Sequence, residues 1–176
     1  MTLFSKDKRG YYGTDPGSEH FWGDICKRDF KYIRNHTFNG INTLHYDPKL
    51  PYKVKHKDEY SNYWFSSSDG HTIKEFNSLV TPNNILKLEQ SGGLCIVYTH
   101  LGSGFVNKQG ELHPDFINSM KFLAQRNGWF APASEILDYL LDQRKANDHY
   151  ISSLYRMRLD FIWLFDRIVK KIKTRR

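Results

Sequence analysis

The sequence predicts an α/β fold whose later part follows the order of the closing units of a βα barrel, with a long C-terminal amphipathic helix. Three observations support this prediction. Residues 94–98 form a short apolar run between glycine signals, typical of a buried strand in a parallel sheet covered by helices. Helical periodicity precedes and follows that run. Residues 151–172 then carry apolar side chains at helical spacing.

The first part of the chain gives weaker signals. Residues 1–24 mix glycine, tyrosine and charge and are interpreted as loop, followed by a weak helix around 21–33. From residue 36 to 68 the pattern is irregular, with strand signals at 43–46 and 60–65. An α/β domain usually opens with a strand, so we expect this chain to be the later part of a larger fold.

The stretch around the apolar run has a consistent αβ pattern. Residues 73–90 show helical spacing that restarts at Thr81-Pro82, where threonine can cap the second helix and proline can occupy its first position. Gly92-Gly93 supplies the left-handed stop before the strand. A helix should open at Pro114 and another near Ser134, with a short extended piece at 128–132 between them. The predicted order from 73 to 141 is therefore helix, strand, helix, short strand, helix.

A boundary at 147–148 divides the predicted organisation into a partial barrel, 1–146, and a basic helix, 147–176. The net charge is +7, and residues 150–176 hold eight basic and two acidic residues, so the other 149 residues contribute only +1. This distribution gives little support to nucleic-acid binding, which needs a basic surface on the body of the domain. The helix is expected to dock on its own domain, with peripheral membrane contact as the alternative.

The expected location is the cytoplasm, with membrane association as an alternative. Cys26 and Cys95 are the two cysteines, and Cys95 lies in the predicted buried strand, so a disulfide framework is not indicated. Residues 1–10 are charged and lack the apolar core of a signal peptide. No run reaches the ~20 apolar residues that span a bilayer.

His100 is the candidate catalytic residue. It follows the apolar run, and loops at the carboxyl ends of parallel strands form the ligand crevice of α/β folds. The alternative is that His100 only hydrogen-bonds a neighbouring carbonyl. Four further histidines match no metal-ligand spacing and are interpreted as isolated surface or loop residues. These are His36, His45, His56 and His71.

Two segments resemble the C-terminal part of polysaccharide deacetylase-like (NodB-type) proteins. They are residues 92–105, Gly-Gly-Leu-Cys-Ile-Val-Tyr-Thr-His-Leu-Gly-Ser-Gly-Phe, and 128–140, Gly-Trp-Phe-Ala-Pro-Ala-Ser-Glu-Ile-Leu-Asp-Tyr-Leu. The resemblance covers about 76–141. It implies a (β/α)7-type barrel, of which this chain is the incomplete C-terminal portion, and removal of acetyl groups from N-acetylated sugars with a divalent metal, commonly zinc. It also implies that His100 is the general acid.

The family's metal motifs, an Asp-Asp pair and a His-x-x-x-His pair, do not occur in this sequence. No metal ligand is therefore predicted here, and zinc would act only if an N-terminal half or a partner subunit supplied the ligands. Carbohydrate is the expected partner, with Tyr98, Trp64 and Trp129 as candidate substrate-binding residues. The expected function is the C-terminal portion of a carbohydrate N-deacetylase, inactive alone. The alternatives are a non-catalytic glycan-binding module and a peripheral membrane or assembly protein.

Overall fold

The computed structural model describes residues 13–144 and 149–174, which form a mixed α/β fold. The helices in these residues are α1 (Gly23–Asp29), α2 (Thr43–Tyr46), α3 (Ile73–Leu79), α4 (Pro82–Gln90), α5 (Pro114–Ala124), α6 (Ala133–Asp142) and α7 (Ser153–Thr174). The strands are β1 (Tyr32–Phe38), β2 (Tyr63–Asp69) and β3 (Val97–Tyr98). The predicted α/β class is confirmed.

The three strands form one parallel sheet in the order β1-β2-β3. Tyr32 pairs with Tyr63 at one end of the sheet, and Asp69 pairs with Tyr98 at the other. The parallel strand predicted before His100 is therefore confirmed, although only two of its residues are in regular β-structure. The sequence interpretation missed β1, because its residues, Tyr-Ile-Arg-Asn-His-Thr-Phe, do not alternate between apolar and polar. Its pairing with β2 is irregular as well, with a register shift between Arg34 and Thr37.

Apolar side chains pack in three clusters around this sheet. One joins α3, α4 and Phe105, with α5 packed against it. A second joins β1 to α7 through Phe38 and Leu159, both fully buried. A third contains Leu50, Ile96 and Leu137 and brings α6 against the chain that leads into β3. The clusters place helices around the sheet and leave the ends of β2 and β3 next to one another.

The capping threonine, the proline and the glycine predicted around α4 have the expected roles in the structure. Thr81 accepts a hydrogen bond from the Asn84 backbone N–H, and Pro82 opens α4. Gly92 has φ +56°, the left-handed conformation that ends the helix before β3. The helices predicted at Pro114 and near Ser134 are α5 and α6.

The strand signal at 43–46 and the short strand expected at 128–132 are both wrong. Residues 43–46 form the short helix α2, because the Asn42 side chain accepts the His45 backbone N–H and caps a helical turn. Residues 128–132 contain no strand, and Trp129 and Phe130 in this segment are more than half exposed. An extended segment becomes a strand only where a neighbouring strand accepts its backbone hydrogen bonds. The predicted order of helix, strand, helix, strand, helix therefore lacks its second strand.

The long C-terminal helix is confirmed as α7, which packs on β1. A buried carboxylate joins it to the loop after α2: Tyr155 donates a hydrogen bond to Asp47 at 2.8 Å, and Ser66 donates another at 2.6 Å. The predicted boundary at 147–148 lies outside the described residues. None of the described helices is both long enough and apolar enough to cross a membrane.

Candidate functional site

The loops that follow β2 and β3 lie side by side. Gly70 donates its backbone N–H to the Tyr98 carbonyl at 3.0 Å, and His100 donates its backbone N–H to the His71 carbonyl at 3.1 Å. We call residues 69–71 and 98–100 the carboxyl edge. Because parallel strands bring their carboxyl ends to the same side of a sheet, this edge is where an α/β fold positions a ligand.

His100 lies on the carboxyl edge with an exposed side chain. Its Nε2 atom is hydrogen-bonded to the Tyr98 hydroxyl, and the two rings meet edge-on with centroids 4.8 Å apart. The Arg34 guanidinium carbon lies 3.5 Å from the centroid of the Tyr98 ring. Arg34, Tyr98 and His100 therefore form a row in which a cation is stacked on the phenol that contacts the imidazole. The exposed imidazole of His100 is therefore accessible from solvent at the carboxyl edge.

The glycine loop after His100 fixes its backbone. Ser103 donates its N–H to the His100 carbonyl at 2.8 Å, and the Ser103 carbonyl accepts the N–H of Ile73 at 3.0 Å. Gly104 has φ +87°, and a Cβ added there would lie 2.8 Å from Cγ2 of Ile73. The loop therefore needs glycine at 104 for both its conformation and its close approach to α3.

A cluster of Asp69, His71 and Glu75 adjoins His100 through the His71 backbone. His71 Nδ1 lies 3.2 Å from Asp69 Oδ1 and 2.6 Å from Glu75 Oε2. One ligand atom from each of the three residues lies within 4.8 Å of the others. The interpretation of His71 as an isolated residue is wrong, and so is that of His36, which is buried in β1 and contacts Asp160. For His71 the available signal was the end of a strand followed by histidine and glutamate one helical turn apart.

Two cations from α7 already contact this cluster. Arg167 Nη1 lies 3.1 Å from Asp69 Oδ2, and Lys170 Nζ lies 3.2 Å from the same oxygen and also pairs with Glu75. Two carboxylates thus face two basic side chains, so their charges balance. A divalent metal ion would have to displace the Lys170 ammonium group. As arranged, these residues do not fit a metal ion, and no metal-assisted step follows from them.

The cations also set the ionisation of both carboxylates. Burial by itself raises the pKa of Asp69, but Lys170, Arg167 and the hydrogen bond from His71 together hold that pKa below its ordinary value. The pKa of Glu75 is also held below its ordinary value. Burial raises it, but Lys170 and the hydrogen bond from Thr72 lower it by more. The cluster is therefore an ionised network that attaches α7 to the end of β2.

Trp64 lies away from the carboxyl edge, in the first half of β2. Its ring packs against the cluster that contains Phe38 and Leu159, and its Nε1 donates to Ser61 Oγ at 2.9 Å. The Lys57 ammonium group lies 4.1 Å from the ring centroid. The Trp64 side chain is therefore held by packing, by a hydrogen bond and by a cation–π contact.

Trp129 lies in the exposed segment before α6, edge-on to Tyr139 with ring centroids 5.2 Å apart. It lines an apolar cavity of about 570 Å³ that also borders Leu94, Cys95 and Val97. The cavity runs beside the chain that enters β3. Of the predicted site residues, the structure therefore brings Tyr98 to His100 and places Trp64 and Trp129 elsewhere.

Comparison with known proteins returned no relative for this chain: no family model, no curated protein and no solved structure matches it. The resemblance to NodB-type deacetylases consequently stays a prediction carried by residues 92–105 and 128–140. What can be said of function rests on the geometry of the carboxyl edge and on α7.

Proposed function

We propose that this chain is the C-terminal portion of a carbohydrate N-deacetylase, that His100 is its general acid, and that the chain is inactive alone. The supporting observation is the exposed imidazole of His100 at the carboxyl end of a parallel strand, in contact with the Tyr98 hydroxyl. Its backbone is held by hydrogen bonds on both sides, through His71 and Ser103.

The chemistry suits this role. Hydrolysis of an acetamide expels an amine, a poor leaving group that must be protonated as the tetrahedral intermediate collapses. A histidine imidazole can donate a ring proton to the departing nitrogen when it lies within hydrogen-bond reach. A bound metal would activate the attacking water, but the Asp69 cluster is neutralised by α7. The metal ligands of the proposed enzyme therefore come from another segment or subunit.

Completion of a (β/α)7-type barrel is part of the same proposal. In the described residues, β1 and β3 each pair with a strand on one side only. Additional parallel strands can therefore extend the sheet at either edge, as closure of a barrel requires. We place this activity in the cytoplasm, with carbohydrate rather than nucleic acid as partner.

A second candidate is a glycan-binding module that does not hydrolyse its ligand. Trp129 favours it, because its side chain is 53% exposed and lines the apolar cavity beside β3. Aromatic faces offer a large apolar surface for the C–H side of a sugar ring. Tyr98 lies at the carboxyl edge, with its ring against His100 and Arg34, and not in this cavity. The packed ring of Trp64 has less free surface.

The test is titration of the 176-residue chain with an N-acetylglucosamine oligomer, followed through histidine ring resonances in NMR spectra. We expect the His100 signal, assigned by His100→Ala, to move, while the signal of the exposed His20 stays in place. The matched titrant is the fully deacetylated oligomer, which should move the His100 signal less. An unmoved His100 signal at millimolar sugar would contradict the first candidate, and an unmoved indole signal of Trp129 would contradict the second. Acetate release by the chain alone, with zinc added, would contradict the claim that it is inactive by itself.

A further inference from the structure

The outward face of α7 is apolar. Seven large side chains on this face are between 41% and 78% exposed. We call them the outer stripe: Leu154, Met157, Phe161, Leu164, Phe165, Ile168 and Ile172. At 100° per residue they fall within a sector about 100° wide, the width of a face that normally packs on a protein core. Here that face points away from the domain.

The charged side chains of α7 hold this orientation. Arg167 and Lys170 turn inward onto Asp69. Nearer the start of the helix, Asp160 Oδ1 lies 3.0 Å from Nε2 of the buried His36. Asp166 lies between Asp160 and Arg167 along α7.

Asp166 Oδ2 accepts the Asn39 backbone N–H at 2.9 Å. Four charged residues of α7 are therefore directed at the domain while Phe161 and Phe165, each 66% exposed, are directed away from it. An ordinary surface helix keeps charged side chains on its solvent face, whereas α7 is apolar on both faces: Leu159 is buried against β1 and the outer stripe is exposed. The polar contacts fix the outer stripe in place.

The charge of α7 indicates which kind of partner the outer stripe binds. Residues 150–176 carry a net charge of +6, and +4 remains when Arg167 and Lys170, which pair with Asp69 and Glu75, are left out. Pairing of this helix with that of a second copy would therefore bring two cationic segments together. The exposed Arg158 and Lys171 border the outer stripe on its two sides of the helical wheel. An apolar stripe with basic borders matches an anionic lipid surface, which offers acyl chains beneath negative headgroups.

We propose that the outer stripe binds in the interface plane of an anionic phospholipid bilayer. The 22 residues of α7 give a helix about 33 Å long that lies flat on the membrane. The domain then sits on the solvent side, attached through the Asp69 network. This inference does not depend on the role of His100.

The experiment is co-sedimentation of the full chain with vesicles of phosphatidylcholine alone and with vesicles containing a third phosphatidylserine. We expect pelleting with the anionic vesicles at low salt, at least tenfold stronger than with the neutral ones, and a decrease as salt rises. Phe165→Glu should reduce the partition coefficient at least tenfold. Phe130→Glu is the matched control, because Phe130 is 58% exposed but lies before α6, and it should bind as the parent does.

A second pair tests the charged border. Lys171→Glu should weaken binding to anionic vesicles severalfold, whereas Lys108→Glu, in an exposed loop after β3, should not. Circular dichroism and the thermal midpoint verify that each variant is folded. Equal binding to both vesicle types, equal loss in Phe165→Glu and Phe130→Glu, or no binding at low salt overturns the proposal. Dimerisation that Phe165→Glu abolishes, without vesicle binding, assigns the stripe to a second copy instead.

Discussion

The Lys170 ammonium group lies 3.2 Å from Oδ2 of Asp69 and joins the C-terminal helix to the end of β2. The Asp69 side chain is almost fully buried, whereas that of Lys170 is about one quarter exposed. A buried carboxylate needs compensating charge, and α7 supplies it across 101 residues of sequence. The same contact orients α7 and neutralises the cluster that could otherwise attract a metal ion.

Replacing Lys170 by methionine is expected to lower the free energy of unfolding by about 1–3 kcal/mol, since Asp69 keeps Arg167 but loses one of its two cations. Methionine preserves most of the side-chain volume, so the effect reports charge. Lys171→Met changes an exposed neighbour and should stay within about 0.5 kcal/mol of the parent. Urea unfolding monitored by circular dichroism measures both. Equal values for the two variants would show that the Lys170 contact adds no stability.

Acid is expected to lower the stability of the folded protein by protonating Asp69. Because the folded pKa of Asp69 lies below its unfolded value near 3.8, the folded state binds fewer protons, and the stabilisation is present above about pH 4. It is lost as pH falls through the folded pKa. Asp69→Asn should therefore be less stable than the parent at pH 6, with the difference shrinking below pH 4. Unfolding midpoints recorded from pH 2 to 7 measure this.

Asp47 provides a control, because its contribution to stability should change with pH in the direction opposite to that of Asp69. Burial raises the pKa of Asp47, although the hydrogen bonds from Ser66 and Tyr155 oppose this. With a raised folded pKa, the contribution of Asp47 to stability is fully present below about pH 4 and is lost as pH rises through the folded pKa. Asp47→Asn should remove this pH-dependent loss. Identical pH profiles for Asp47→Asn and Asp69→Asn would refute the assignment of these two effects.

The glycine loop offers a matched pair of substitutions. Gly104→Ala should cost about 1–2 kcal/mol, because alanine disfavours φ +87° and its Cβ would lie 2.8 Å from Cγ2 of Ile73. At Gly102 no atom lies within 4 Å of an added Cβ, so Gly102→Ala should stay within about 0.5 kcal/mol of the parent. Thermal unfolding distinguishes the two variants. A destabilising Gly102→Ala with a neutral Gly104→Ala would mean that the loop has a different conformation.

The two candidate tryptophans should behave differently when truncated. Trp64→Ala removes a ring packed between Lys57, Ser61 and the β1–α7 cluster and should cost about 2–4 kcal/mol. Trp129→Ala removes a ring that is 53% exposed and should cost about 1 kcal/mol or less. Chemical denaturation measures the costs. A large cost at Trp129 and a small one at Trp64 would reverse the structural assignment.

Sequence signals succeeded where neighbouring residues alone decide the conformation. The α4 start at Thr81-Pro82, the left-handed Gly92 and the long α7 were all predicted, because capping, proline and periodicity act within one or two turns. The position of His100 was predicted from the apolar run before it, and that run forms a strand because β2 pairs with it. The segment at 128–132 failed, because a strand also requires a partner that the sequence does not display.

Local sequence by itself therefore determined the αβ order from 73 to 98, the site of His100 and the apolar and basic character of α7. Only the tertiary structure decided that His71 meets Asp69 and Glu75 and that α7 turns its charges inward. The physical reason is the distance along the chain: Lys170 and Asp69 become neighbours only when β2 and α7 pack. Periodicity shows that α7 has apolar side chains, but long-range contacts, which include the ion pairs with Asp69 and the packing of Leu159 on β1, determine which of them face the domain.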